Sequence, residues 1–438
     1  MPQTQKRVGI YTLGCKVNRY ESEAIAERLT DLGLEVVSPS EKCDAYVINT
    51  CTVTAEADRK ARQFIRRALS KNPEAKIAVT GCLAQTNAKS IADIGGVHYI
   101  CGNDKKLSAA DAIADLLAER ISVAPQICVN DIMAASFEPM SINSFGRTRA
   151  CVKIEDGCDS KCTYCIIPQA RGKIRSKPQN EVIAEVRELT ERGCREVVLT
   201  GIETASYGRD LDGTNLLTLL RELDRIDGIG RIRLGSLDPS LFKPDFIKGL
   251  AEIRALAPHF HLSMQSGSDR ILAAMKRKYN TSMAYRAAEG LREHIPGVMF
   301  TTDIIVGFPG ETEEDFADSC RLVDEMRFLA AHIFAYSRRE GTPAAVMPNQ
   351  VPEQVKRARS AELIARAASV RREILAGAVK NTPHQEVLFE TFENGIAEGH
   401  TPSFIEVRVK TDKDIRDTIL PVTLDSFDDN GCIGHLKQ

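Results

Sequence analysis

Three features of the sequence predict an α/β protein in three parts. Short apolar strands alternate with amphipathic helices near the N-terminus, and the same alternation returns for six strands through the middle. From His384 the pattern changes to short strands separated by Gly, Asn and Asp turns. Strand-helix alternation implies parallel sheets with both faces covered, whereas closely spaced short strands imply a small β-barrel. A chain of 438 residues is also too long for one ordinary core.

Residues 7–13 (RVGIYTL) read as a buried strand, and Ala24, Ile25, Leu29 and Leu32 share one side of a helix from about Glu21 to Leu32. Strand DAYVINT with a helix over Ala55–Leu69 comes next, then strand KIAVTG with a helix beginning near Gln85. These units make an N-terminal parallel sheet domain over residues 5–117. Residues 118–143 lose the alternation and read as an irregular linker. Over residues 144–374 the strands are RACVKIE, EVVLTG, RIRLGS, HFHLSMQ, VMFTTDIIVGF and AAHIFAYS, with a long charged helix from Glu353 to about Val379 at the end. This suits an open, partial (β/α)6 barrel, and periodicity alone leaves its closure undecided. Residues 375–438 hold the last strands, QEVLFE, SFIEVRVK, TILPVTL and GCIGHLK.

Lys and Arg number 58 against 60 Asp and Glu, so nucleic-acid binding needs a local basic surface rather than global charge. The longest apolar stretches are strand-sized, short of the roughly 20 residues of a membrane helix, and no apolar signal core precedes the first strand. A cytoplasmic location without membrane contact is expected. In that reducing compartment the 13 cysteines are thiols and metal ligands rather than disulfides.

Cys158-Asp-Ser-Lys-Cys162-Thr-Tyr-Cys165 follows the first strand of the middle part. A 4Fe-4S cluster normally takes four cysteines, so three thiolates in this span can hold a cluster and leave one iron open. The competing readings are a partial zinc site, disfavoured because structural zinc wants four ligands in paired arrangements, and three loop thiols without metal. Cys15 in TLGCKVN, Cys51 in NTCTVT and Cys82 in TGCLAQ each stand at the C-terminal end of a predicted strand. Such ends converge on one edge of a doubly wound sheet, where three distant thiols could form a second cluster site. The alternative is that each is a small buried apolar residue. Cys43, Cys101, Cys128, Cys151, Cys194, Cys320 and Cys432 show no grouping and read as packing residues.

The Cys-x-x-x-Cys-x-x-Cys loop, with an aromatic residue before its last cysteine, resembles the radical S-adenosylmethionine (SAM) superfamily. The resemblance implies SAM chelating the open iron and reductive cleavage to a 5′-deoxyadenosyl radical. Together with the first domain and the terminal barrel, nearly the whole chain resembles the methylthiotransferases. That likeness implies an auxiliary 4Fe-4S cluster on Cys15, Cys51 and Cys82, and a terminal RNA-binding domain of the TRAM fold. It also implies two SAM molecules per turnover, one giving the methyl group and one the radical. The SAM pocket candidates at the strand ends are Gly201 and Glu203 in GIE, Arg233 and Ser236 in RIRLGS, Gln265-Ser266-Gly267, and Gly307 in VGFPGE. GIE corresponds to the Gly-rich strand end that receives the SAM amino group, without the usual second glycine, and GFPGE resembles the strand near the adenine. Glycines that merely turn strand into helix explain the same positions without a ligand. Arg171 in PQARG is a candidate for a SAM carboxylate or the cluster surroundings, with a surface salt bridge as the alternative.

Basic runs occur in KRVG, RKARQFIRRALSK, MKRKY and VKRARS, and such runs are usually solvated helix faces. The terminal barrel supplies the architectural basis for RNA binding, with Phe404, Arg408 and Lys410 as candidate contacts. TLGCKVN and GCDSKCTYCIIPQARGKIRS most resemble the branch acting at adenine C2 of N6-threonylcarbamoyladenosine beside the tRNA anticodon, which gives the 2-methylthio derivative. Branches acting on isopentenyladenosine or on a ribosomal-protein aspartate usually carry Gln-Met-Asn or Pro-Lys-Asn where this chain has Lys16-Val17-Asn18. Those substrates are the alternatives, with a noncatalytic iron-sulfur electron carrier more distant. The implied partners are the tRNA anticodon stem-loop and an external electron donor. No acid-base catalyst is assigned, since clusters and SAM carry the chemistry.

Overall fold

The first strand, β1 (Arg7–Thr12), turns through Gly14 into α1 (Lys16–Asp31), five residues earlier than the apolar spacing predicts. The computed structural model describes residues 5–437 apart from 123, 145 and 147. Strand β2 (Glu35–Val37) is followed by β3 (Ala45–Thr50), α2 (Ala55–Lys71), β4 (Lys76–Gly81), α3 (Cys82–Ala92), β5 (Tyr99–Cys101) and α4 (Ser108–Leu117). Side chains alternate along the strands: Ala45 and Val47 pack under α1 and α4, while Tyr46 and Ile48 pack under α2 and α3. With both faces covered, every residue of β3 is buried.

The sheet runs in the order β2-β1-β3-β4-β5 and then gains β6 (Gln126–Cys128), parallel to β5. The linker expected over residues 118–143 therefore contributes a strand. Its three-residue run is too short to stand out as a period, and pairing along the edge of β5 makes it a strand.

The middle part opens with β7 (Arg149–Lys153), β8 (Glu155–Asp156), α5 (Ile167–Arg171), β9 (Arg175–Ser176), α6 (Gln179–Glu191) and β10 (Glu196–Thr200). It continues through α7 (Leu216–Leu223), β11 (Arg231–Leu234), β12 (Ser236–Leu237), α8 (Pro244–Ala251), β13 (His259–Gln265), α9 (Asp269–Ala274) and α10 (Thr281–His294). Strand β14 (Met299–Val306), α11 (Glu313–Met326), β15 (Ala330–Ala335) and α12 (Glu353–Asn381) complete it. All six expected strands are present and parallel, in two sheets, β7-β10-β11 and β12-β13-β14-β15, with only Gly235 between β11 and β12. Among the described residues β15 does not pair with β7, so the barrel is open.

The terminal part is a closed barrel, β16 (His384–Glu393), β17 (Ile396–His400), β18 (Glu406–Lys410), β19 (Ile419–Asp428) and β20 (Gly431–Leu436), in the order β16-β17-β18-β20-β19. The sequence reading omitted β17, whose IAEGH contains a glycine and only two aliphatic side chains. Gly399 is required there because a Cβ would run into the Leu388 carbonyl across the ladder.

This small barrel sits against the end of the open barrel where the strands begin. Arg231 donates to the carbonyls of His400 and Glu386, and Arg233 to that of Pro402. Phe404 stacks between His259 and His400, with ring centroids 4.6 and 4.7 Å away, and carries Arg149 and Arg233 over its face. Phe404 is thus a stopper between domains, not the RNA contact expected from its place in the barrel. Arg408 is half-buried and paired with Asp428 at 2.5 Å, while Lys410 is exposed.

Candidate functional site

Cys158, Cys162 and Cys165 lie in the loop between β8 and α5. Backbone bonds fix its course: Cys158 N–H donates to Gly172, Thr163 N–H to Met275, and Cys165 N–H to Cys162. Tyr164 packs beside Phe308, Met275 and Tyr336, which explains the aromatic residue before the last cysteine. The three thiols line a cavity of about 160 Å3 with Ile202, Glu203, Ser236, Asp238, Gln265 and Arg277. The Cys158 thiol donates to Glu203 Oε2 at 3.0 Å, and burial together with that carboxylate pushes the thiol up. Burial also pushes the Cys165 thiol up to about 12. Gln265 ends β13 with φ 62°, a left-handed conformation that costs a non-glycine residue free energy and sits at the cavity wall.

The other three cysteines follow adjacent strands. The register places Thr12 beside Asn49 and Thr50 beside Gly81, so the turns after β1, β3 and β4 emerge side by side with Cys15, Cys51 and Cys82. Gly14, at φ 97°, is pressed against Cys51: a Cβ there would lie 2.8 Å from the Cys51 Cβ. Thr50 Oγ1 accepts from the N–H groups of Leu83 and Ala84, holding the start of α3 and thereby Cys82. Burial, then Cys82 and Cys15, push the Cys51 thiol up to about 12. Crowding by surrounding protein atoms raises the Cys15 thiol, although the residue is exposed to solvent, and Arg171 opposes it.

Among the described residues no three Cys, His, Asp or Glu side chains close on a point that a single metal ion could occupy. Three thiols in each place are a donor set that fits an iron-sulfur cluster with one iron left open, and metal binding offsets the cost of ionising clustered thiols. The residues present therefore fit the groups that the sequence implies.

Arg171 is fully buried and lies between the two sets. It donates to Glu21 and Asn18 of α1, behind Cys15, and to Asp156, whose Oδ1 accepts from the N–H of Gly157 next to Cys158. Lys106 and Lys153 also pair with Glu21. Arg171 thus belongs to an interdomain ion cluster, neither a surface pair nor a cavity wall.

Of the other SAM pocket candidates, Glu203, Ser236 and Gln265 line the cavity by the cysteine loop. Gly201 instead leaves room for Glu155, and Gly307 for the stem of Lys356. Arg233 is instead held at the floor of the open barrel, bonding Glu196 at 2.6 Å and the Pro402 carbonyl beneath Phe404.

Arg277 was missed, hidden in the run MKRKY. It donates to Cys162 Sγ at 3.2 Å and to Asp238 at 2.8 Å, and lies over the Tyr279 ring. Arg339 was missed too: it bonds Thr52 at 2.8 Å and Asp58 at 2.6 Å, clamping the loop of Cys51 to the open barrel. In VKRARS, Lys356 and Arg359 are buried rather than solvated, whereas Arg66 and Arg67 on α2 are exposed.

Beside Cys15 lies a recess of about 600 Å3 lined by Thr12, Lys16, Arg19, Ser22, Glu23 and aliphatic residues. Burial among protein atoms lowers the Lys16 ammonium, although the side chain itself is open to the recess.

Residues 152–323 match the model of the Radical SAM superfamily, and residues 7–102 that of the Uncharacterized protein family UPF0004. The chain is 40% identical over 423 residues to Threonylcarbamoyladenosine tRNA methylthiotransferase MtaB of Bacillus subtilis, covering 95% of this chain and 93% of that protein. The namesake from Chlamydia pneumoniae is 36% identical, at 97% and 96% coverage. A tRNA-2-methylthio-N(6)-dimethylallyladenosine synthase of Carboxydothermus hydrogenoformans is 38% identical, at 82% and 83%. The radical S-adenosylmethionine methyltransferase TsrM of Kitasatospora setae, solved with cobalamin and a 4Fe-4S cluster, shares the fold at a TM-score of 0.56 and 16% identity, over 87% of this chain and 81% of that one. Among the described residues no helix is long and apolar enough to cross a membrane. Likeness to such relatives over almost their whole length, on a fold that assembles two three-cysteine sets, places this protein in the family of radical SAM tRNA methylthiotransferases, enzymes that use SAM and 4Fe-4S clusters to transfer sulfur and methyl groups to tRNA.

Proposed function

We propose that the chain methylthiolates adenine C2 of N6-threonylcarbamoyladenosine beside the tRNA anticodon, in the cytoplasm, with electrons from an external donor. The observation that carries this reading is the full-length likeness to relatives named for that nucleoside, with both cysteine sets tied to one buried ion cluster through Arg171. The dimethylallyladenosine relative supports a second reading in which the same site takes an uncharged N6 substituent.

In this reading Cys158, Cys162 and Cys165 hold the SAM-binding cluster, and Cys15, Cys51 and Cys82 hold the auxiliary one. Bound there, these groups supply the radical, the sulfur and the methyl group. Glu203 accepts from Cys158 and from Ser160 and faces Lys278; once that thiol is ionised, its Oε2 has one donor fewer and can receive the SAM ammonium. Ser236 and Gln265 line the same cavity, while Arg277 holds Cys162 and Asp238 in place. Tyr164, Ile167 and Ile202 make the apolar part of its wall. Gly201, Gly307 and Arg171 act as support: two leave room for packed neighbours, and the third fixes the domains. The target base has to leave its stack to reach the space between the domains, with the terminal barrel and its exposed Lys410 toward the anticodon stem-loop.

Anaerobic turnover of reconstituted protein with SAM, reductant and tRNA carrying threonylcarbamoyladenosine, followed by nucleoside mass spectrometry, tests this. A 2-methylthio product that disappears on Cys162→Ala is the expected result. Product only on isopentenyladenosine tRNA would establish the second reading, and SAM cleavage with no RNA product would reject both.

A further inference from the structure

One cation of the site has no partner. Lys16 opens α1 directly after Cys15, and its side chain makes no hydrogen bond or ion pair among the described residues. Its basic neighbours are engaged: Arg19 with Glu23, Arg149 with Glu390, Arg171 with Glu21, and Arg233 with Glu196. Lys16 shares the recess with Cys15 and lies within electrostatic reach of Arg149 and Arg233, which repel it, and of Asp303 and Cys151. Asp303 is itself 3.3 Å from His261. An exposed lysine that forms no ion pair, on the wall of a recess beside Cys15, is a position that an anion of the substrate stabilises.

We propose that Lys16 determines substrate specificity by binding the carboxylate of the threonyl arm. This rests on the reading of the nucleoside given above. The arm ends in a carboxylate, whereas unmodified adenosine and an isopentenyl arm carry no anion. On the adenine ring C2, where sulfur arrives, is separated from C6, which bears the arm, by N1 alone. The reacting edge and the arm must therefore be served from one patch of protein. Cys15 and Lys16, with Cα atoms about 3.8 Å apart as consecutive residues, supply the sulfur-side thiol and the cation from adjacent positions. A charge-assisted hydrogen bond to a carboxylate is roughly twice as strong as a neutral one, so loss of either partner is readable.

The test compares two anticodon stem-loop RNAs with the reconstituted holoenzyme, one carrying threonylcarbamoyladenosine and one with its threonyl carboxylate converted to the primary amide. Methylthiolation kcat/KM is measured at saturating SAM, and RNA affinity by fluorescence anisotropy without SAM. Wild type is expected to prefer the acid about ten- to a hundredfold, the range of a hydrogen bond to a charged group, mostly in KM. Lys16→Gln and Lys16→Met should treat both RNAs like the wild type treats the amide, and Lys16→Arg should keep most of the preference. Retention of the acid preference by Lys16→Gln, at any overall rate, or indifference of the wild type to the amide, overturns the assignment. Failure of the substrate reading looks different: the wild type itself makes no product on the threonylcarbamoyl RNA and makes it on isopentenyl RNA.

Discussion

Glu21 of α1 and Arg171 of α5 meet across the seam between the first domain and the open barrel through two hydrogen bonds, 2.8 Å from Nη1 to Oε1 and 3.2 Å from Nη2 to Oε2. Both side chains are fully buried, and Lys106 and Lys153 share the same carboxylate. Removing Glu21 leaves three buried cations with too little counter-charge. Glu21→Gln should cost about 3–5 kcal/mol in urea denaturation, the range for breaking a buried pair by one partner. The cations hold the Glu21 carboxyl well below its ordinary value of 4.5 despite burial. Such a group contributes stability above pH 4.5 and loses it as pH falls through the folded value, so the variant's thermal midpoint should fall less than that of the wild type on acidification below 4.5.

Glu155 works in the opposite sense. Burial raises it well above its ordinary value, its Oε2 accepts from the Glu203 N–H at 2.8 Å, and its Oε1 has no partner. A group raised in this way takes up a proton on folding and loses stability as pH rises from 4.5 through its folded value. Glu155→Gln keeps the accepting oxygen without a titrating proton. Its thermal midpoint relative to wild type should therefore improve steadily from pH 5 to pH 8, and a constant difference would contradict this account.

Arg277 bridges Cys162 and Asp238. Arg277→Gln should lower reductive SAM cleavage by about 10–100-fold, the usual loss when a group behind a metal ligand is removed, while far-ultraviolet circular dichroism stays unchanged. Lysine should not rescue it, since one ammonium cannot offer the guanidinium's forked donors to both partners.

Phe404 joins the terminal barrel to the floor of the open one. Phe404→Ala should destabilise the chain by about 1–3 kcal/mol, less than the range for a fully buried Phe because Phe404 is partly buried, and should speed proteolysis after α12. Lys410→Ala, at an exposed position, should leave stability within about 0.5 kcal/mol and lower tRNA affinity.

Much of this was legible along the chain because the informative residues are near one another or periodic. Cys158, Cys162 and Cys165 fall within one loop, and the six core strands announce themselves as apolar runs. Cys15, Cys51 and Cys82 could be grouped because each follows a strand of one parallel sheet. Arg277 and Arg339 escaped because their partners, Cys162 and Asp58, come from remote segments, and a basic run looks the same whether water or protein surrounds it. Arg233, Arg171 and Phe404 were placed by neighbourhood in sequence, but each side chain crosses to another domain, a direction set only by packing. Strands β6 and β17 are too short or too polar to show a period without their pairing partners.

The floor of the open barrel also sets an order of assembly during synthesis. Arg231 and Arg233 leave the ribosome with the middle of the chain, yet the carbonyls of Glu386, His400 and Pro402 that complete their bonding follow only with the terminal barrel. Until then the two guanidinium groups have Glu196 as their partner but lack the three carbonyls. A chain cut short before the last domain would lack those three acceptors and the Phe404 stack, so the floor of the scaffold is completed only when the final residues have been made.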